Sequence, residues 1–360
     1  MADLTLEDVA KRTGVSKMTV SAVLRNTGRI SDDTRKRVLS VAEKMGYRVN
    51  AAARATRTGR FGTIALLMST NEHQSYLSTT MLEAIHDALA EHDLHLSMAK
   101  LPDNRLDEED AVPLMLQQYS ADGLLIDYTW DIPPALIDRI AHSNVPAVYM
   151  NTPLPTDAVY VDERAGGREL TQHLLKLGHR RIAYADTWWG SDFAHAHHSV
   201  GDRRAGYQDA MNEAGLEPEW FLLQRADPDQ QRRHFAEYLG CEDRPTAIIT
   251  YWTSDAWPVL QVLNQLQLHP GRDLSLASFC QPGDHAAQGF ALTTLSQPEA
   301  DLGHRAVDML IERMDHTAPL PAAVVKGRLV EGITTGHFPL DAQPGDHINQ
   351  PSRCGGGILR

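Results

Sequence analysis

The sequence predicts an N-terminal all-α helix-turn-helix headpiece followed by an α/β core of two doubly wound parallel-sheet lobes. Three observations predict it. Residues 5–46 hold three short amphipathic helical patterns punctuated by Gly14 and Gly46. From Phe61 onward, apolar strands alternate with helical patterns, and the series restarts after Asp162. Charge divides the same way: residues 1–60 carry 13 Lys and Arg against 6 Asp and Glu, a net of +7 in a chain of net −13, which leaves −20 on the remainder.

In the headpiece, Thr5 caps a first helix with Glu7 and Asp8 in its opening turn and Leu6, Val9 and Ala10 on its apolar face. Gly14 supplies the left-handed residue that ends it. Ser16 caps a second helix running to about Arg25, with Val20, Val23 and Leu24 facing the first and Lys17, Met18 and Ala22 facing away. Ser31 caps a third, whose core face is Val38, Val41, Ala42 and Met45 and which stops at Gly46. Two short helices joined by a glycine turn form the geometry that enters a DNA major groove, and a basic net charge suits phosphate.

In the body, strands are expected at 63–68, 95–99, 123–126 and 147–150, with helices at 78–91, 109–119 and 134–142. The second series places helices at 164–177, 202–214 and 255–266 around strands at 181–185, 247–250 and 276–279. Such alternation builds parallel sheets with a ligand cleft at the strand ends. Residues 339–360 are rich in Pro and Gly, lack heptads, and read as a disordered tail.

Composition excludes several classes. No apolar run spans a bilayer, and the amino terminus has no signal-peptide segment, so a cytoplasmic protein without membrane contact is expected. Cys241, Cys280 and Cys354 are widely spaced and odd in number, without zinc spacing or a disulfide framework. No serine elbow, P-loop or HExxH is present, so no enzyme activity and no cofactor are expected. His195, His197 and His198 stand close together without a supporting second pair, and are read as cleft or surface residues rather than a metal site.

Thr5–Arg60, with Asp8-Val9-Ala10, Gly14-Val15-Ser16, Thr19-Val20-Ser21 and Val23-Leu24, resembles the headpiece of LacI/GalR-type bacterial repressors. The resemblance continues through Gly46-Tyr47-Arg48, Gly166-Gly167, Leu177-Gly178-His179-Arg180, Arg203…Gly206-Tyr207 and Gln297-Pro298 to about Gly336. It implies a periplasmic-binding-protein-like core: headpiece 1–48, hinge helix 49–60, and a core of 61–338 whose chain crosses between lobes near 161, 291 and 322. The N-lobe would be about 61–160 and 292–321, the C-lobe about 161–291 and 322–338.

The resemblance also implies site residues. Lys17, Met18 and Ala22 fall where family members meet base edges, and Ser16, Thr19 and Ser21 where they meet phosphates. Thr5, Arg25, Arg29, Ser31 and Tyr47 complete the headpiece set. Asn50, Ala53, Arg54, Thr56 and Arg57 fall on the minor-groove hinge, where Thr56 replaces the usual leucine wedge. Effector positions are Tyr76, Asp127, Asp162, Trp188, Arg203, Trp252, Cys280 and Gln297. Trp252-Thr253 stands where sugar-sensing members have Asn-Asp, and Cys280 where they have Asp.

The expected function is a homodimeric, ligand-responsive, sequence-specific DNA-binding regulator. It would repress a carbohydrate-catabolic operon from an inverted-repeat operator and be released by a small sugar-like effector. A regulator answering a non-sugar metabolite, as activator or with a corepressor, is the alternative. A solute-binding protein fits less well.

Overall fold

The computed structural model describes residues 4–24, 27–47, 60–71, 74–101, 121–129, 132–194, 196–283 and 291–338. The expected helix at 109–119, the hinge positions Asn50 to Arg57, Arg25, His195 and the tail lie outside them. Two compact units divide the chain, Met1–Phe61 and Gly62–Arg360.

The first unit holds α1 (Leu6–Thr13), α2 (Lys17–Leu24) and α3 (Asp32–Met45). Thr5 closes a capping box with Asp8, and Ser31 caps α3 by accepting from Thr34 N. Gly14 takes φ 69°, which a side chain would resist, and turns the chain from α1 towards α2. Val9, Val20 and Val38, one from each helix, meet with no solvent exposure.

Among the described residues, the second unit contains two six-stranded sheets. Its first series comprises β1 (Thr63–Ser69), α4 (Thr79–Glu91), β2 (His95–Leu101), β3 (Gly123–Asp127), α5 (Pro134–His142), β4 (Ala147–Met150) and β5 (Ala158–Val161). The second comprises α6 (Glu163–Lys176), β6 (Ile182–Asp186), α7 (His198–Glu213), β7 (Glu219–Leu222), α8 (Pro228–Leu239), β8 (Ala247–Thr250), α9 (Thr253–Gln265) and β9 (Ser275–Cys280). The last described elements are β10 (Thr293–Ser296), α10 (Glu299–Asp315), β11 (Ala323–Val325) and β12 (Arg328–Val330). The first sheet runs β11-β5-β4-β3-β1-β2 and is parallel throughout. The second runs β12-β10-β9-β8-β6-β7, with only β12 antiparallel. Helices cover both faces of each sheet, so central strands such as Ile64–Leu67 are apolar without alternation.

Two expected crossings move. β10 pairs with β9 in the second sheet, so the chain leaves that lobe after Ser296 rather than near 291. β11 pairs with β5 in the first sheet, so the return falls between Val325 and Arg328 rather than near 322. Hydrogen-bonding partners decide sheet membership here, and a four-residue apolar run does not name its partner.

Candidate functional site

Two surfaces carry polar chemistry, one on each unit. On the headpiece, Ser16 Oγ accepts from Thr19 N at 3.1 Å and so opens α2. Met18 is 82% exposed, although a buried thioether would be the usual economy. Lys17 Nζ lies 2.6 Å from Glu7 Oε2, and Lys11 Nζ lies 3.7 Å from Glu7 Oε1. The hydrogen bond and charge of Lys17 hold the Glu7 carboxyl below its ordinary range. Arg29 and Ser31 are exposed, Thr19, Ala22 and Tyr47 half-buried. Ser21 is the most covered of the expected contacts, because it shares the inward face of α2 with Val20 and Val23.

On the second unit, a cavity of about 350 Å³ opens between the two sheets at their strand ends. Tyr76, Thr129 and Asn151 line it from the first lobe, and Glu163, Arg203 and Trp252 from the second. Arg203 reaches this wall because two glycines bring α6 and α7 together. A Cβ on Gly167 would stand 2.2 Å from Arg203 O, and one on Gly206 would stand 2.0 Å from Arg164 O. That close approach sets Glu163, at the start of α6, against Arg203.

Arg203 Nε and Nη2 donate to the two oxygens of Glu163, each at 2.7 Å, and Nη1 donates to Tyr251 O at 3.0 Å. In the amide orientation that satisfies both neighbours, Gln297 donates to Glu163 Oε1 and accepts from Arg203 Nη2, each at 3.2 Å. The pair is nearly sealed, 3% and 2% exposed. Burial alone would lower the Arg203 pKa, but the charge and hydrogen bonds of Glu163 more than offset it, and the net shift is upward. The guanidinium also stacks 4.1 Å from the Phe279 ring, with the Tyr251 and Trp252 rings at 5.0 and 5.2 Å. Each of its three nitrogens is thus engaged inside the protein.

A histidine joins the lobes across the cavity. His197 Nδ1 accepts from Ser199 N at 3.2 Å and lies 2.8 Å from Ser199 Oγ, so Nε2 carries the proton and faces Asn151 O at 3.2 Å. Burial pushes the His197 imidazole well below its ordinary pKa, which keeps it neutral. His197 also caps α7, which therefore begins at His198, four residues before the start expected at Asp202. Among the described residues, no group of three or more His, Cys, Asp or Glu is placed to hold a metal ion.

The expected effector residues divide. Tyr76, Arg203, Trp252 and Gln297 line the cavity. Asp162 does not: its Oδ1 caps α6 by accepting from Ala165 N at 3.0 Å, and the next residue, Glu163, faces the cavity instead. Cys280 and Asp127 are buried behind the wall. Burial pushes the Asp127 carboxyl up to about 7, against the lowering effect of the Tyr76 backbone amide. Trp188 is half-exposed and off the cavity, its backbone N–H held by Asp186 Oδ1 at 3.0 Å. Sequence reading missed Glu163, Asn151, Ser199 and Tyr251.

The cavity's geometry suits a small molecule held by ring faces and neutral polar groups. The headpiece surface suits a polyanion met by cations, hydroxyls and helix N-termini.

Residues 5–50 match the family model described as bacterial regulatory proteins, lacI family, and residues 171–335 match the periplasmic binding protein-like domain. The chain is 29% identical over 317 residues to the HTH-type transcriptional repressor PurR of Erwinia tasmaniensis, covering 86% of this chain and 90% of that one. It is 28% identical over 324 residues to the PurR repressor of Haemophilus influenzae, covering 87% and 91%. Among solved structures, a lac repressor dimer bound to operator and the anti-inducer ONPF superposes with TM-score 0.74 at 23% identity, over 93% of this chain and 99% of that one. A complex of the transcriptional regulator CelR with cellobiose gives 0.59 at 23% identity, over 92% and 99%. No helix among the described residues is long and apolar enough to cross a membrane.

Proposed function

The chain belongs to the lacI family of bacterial regulatory proteins and is a DNA-binding transcriptional repressor, and we propose that a small uncharged ring-bearing effector held between the two lobes controls it. The observation that carries this reading is Arg203, each of whose three nitrogens is already engaged by the protein. With its fork bound to Glu163 and Tyr251, its charge is already paired inside the wall before a ligand arrives. A carboxylate or phosphate would have to displace Glu163 inside a sealed site, which desolvation makes costly. Tyr76 and Trp252 suit the C–H face of a sugar, and Asn151, Thr129 and Ser75 can meet its hydroxyls.

On this reading the effector is sugar-like and the repressed genes form a carbohydrate-catabolic operon. The same ring faces also suit a flat nitrogen heterocycle, and the similarity to PurR repressors favours that second reading. The chain would act as a homodimer on an inverted repeat, as the solved lac repressor dimer is bound to its operator. Residues 1–48 would form the DNA-binding headpiece, 49–60 the hinge and 61–338 the effector-binding core. Ligand would shift the equilibrium between lobe arrangements by its differential affinity for them.

A thermal-shift screen of the full chain tests the reading. Uncharged sugars and nucleobases should include a compound that raises Tm, and sugar acids and sugar phosphates should not. Trp252→Ala should abolish that rise while operator retardation persists. An anionic ligand as the best stabiliser, or a hit indifferent to Trp252→Ala, would remove the effector from this cavity.

A further inference from the structure

We propose that Glu7 and Lys17 act together as the reader of one G·C base pair, Glu7 being a specificity-determining residue of the headpiece. The inference rests on the DNA-binding assignment above and adds which atoms recognise the base pair.

In helix-turn-helix proteins the opening residues of the second helix meet base edges. Lys17 is the first residue of α2, and its ammonium lies 2.6 Å from Glu7 Oε2 on α1. Glu7 is half-exposed, and Lys11 approaches its other oxygen at 3.7 Å. A carboxylate near DNA phosphates is repelled unless a cation accompanies it or a base donor meets it. Here the first condition holds before DNA arrives, since Lys17 and Lys11 both stand against the Glu7 carboxylate.

Hydrogen-bond chemistry then selects the base pair. A lysine has three N–H donors, and with one turned to Glu7 two remain. An ionised carboxylate keeps acceptor sites on both oxygens. The pair therefore presents donor, donor and acceptor side by side. In the major groove a G·C pair presents guanine N7 and O6, both acceptors, and the cytosine 4-amino donor. An A·T pair places a donor in the middle, against the Lys17 ammonium. Neither residue alone matches all three groups: Lys17 reads guanine only, and Glu7 cytosine only. Met18, 82% exposed beside them, adds an apolar surface for a neighbouring thymine methyl.

The test uses the full-length protein and a randomised duplex library. Wild type should select a half-site with a fixed G·C pair. Changing that pair to A·T should weaken binding about tenfold, the size of one good bidentate contact. Replacing its cytosine by pyrimidin-2-one, which lacks the 4-amino group, should weaken wild type several-fold and leave Glu7→Ala unchanged. Glu7→Ala should select the same half-site with this one position relaxed, and should bind scrambled duplex more tightly because Lys17 is released to phosphate. Circular dichroism should show the same helix content in both. If Glu7→Ala selects the same sequence with equal stringency, or loses as much as wild type on pyrimidin-2-one, Lys17 reads alone and the proposal fails while the repressor assignment stands. If wild type enriches no sequence, both fail.

Discussion

The two ion pairs that mark the two units have nearly the same length and opposite surroundings. Glu7–Lys17 spans 2.6 Å in a setting about half open to solvent; Glu163–Arg203 spans 2.7 Å with almost none. Length therefore says little about what either does. The headpiece pair is wet, so salt screens it and its members can exchange partners with a base or a phosphate. The core pair is dry, so both charges have already lost their water and each is needed by the other. A unit that must engage and release DNA keeps its charges exchangeable. A wall that must hold a ligand's shape keeps them locked.

The largest test of this contrast is Arg203→Ala. Removing one partner leaves Glu163 buried and uncompensated, which typically costs roughly 3–5 kcal/mol. Urea unfolding should register that loss, and effector binding should fall with it. Pairing it with Glu163→Gln should restore part of the loss, since no isolated charge remains. The resemblance places Arg203 at an effector position. The structure adds that its fork is already engaged by Glu163 and Tyr251. A loss below about 1 kcal/mol would place Arg203–Glu163 with the exposed pairs and dissolve the comparison.

Asp127 sharpens it as a buried carboxyl lacking such a partner. Both its oxygens are buried without a hydrogen-bond partner of normal geometry, and its pKa rises from 3.8 to about 7. The folded protein then holds a proton that the unfolded chain gives up. The stability tied to that proton is fully present below the ordinary carboxylate pKa and is lost as pH rises through about 7. Asp127→Asn cannot ionise, so it should be close to neutral at low pH and stabilising above neutrality. Integrating the shift gives at most about 4 kcal/mol between those limits. The measurement is the difference in unfolding free energy between wild type and Asp127→Asn across that range. A difference that does not change with pH would mean that Asp127 is not desolvated as described.

How much of this was legible follows from where each signal lies along the chain. The headpiece was readable because caps, glycine turns and apolar spacing are local: Thr5, Gly14 and Ser31 act within four residues of themselves. Most sheet strands were readable as apolar runs, but β10 and β11 were given to the wrong lobes because only pairing settles that. The start of α7 was missed because histidine is not a customary cap, yet His197 serves as one. Arg203 was legible through its spacing from Gly206-Tyr207, whereas Glu163 was not. The two are 40 residues apart, and their contact depends on the close approach at Gly167 and Gly206. In sequence, Glu163 is an ordinary acid in the first turn of a helix.

The smallest expected effect is the stability change of Glu7→Ala, and its smallness is the point. Glu7 touches two lysines, but all three side chains stay about half or more exposed. Water compensates each charge when the pair parts, and ordering long side chains offsets the attraction. Tm of Glu7→Ala should therefore match wild type within measurement error at low salt and at about 0.5 M salt, where screening shortens to a few ångströms. The same variant should alter DNA selection, as argued for the G·C reader. Stability and recognition would then separate at Glu7 and coincide at Arg203, where removing the fork damages both at once. A clear drop in Tm for Glu7→Ala at low salt, relieved at high salt, would show that the headpiece pair holds α1 and α2 together. Glu7 would then serve the fold first and the base pair second.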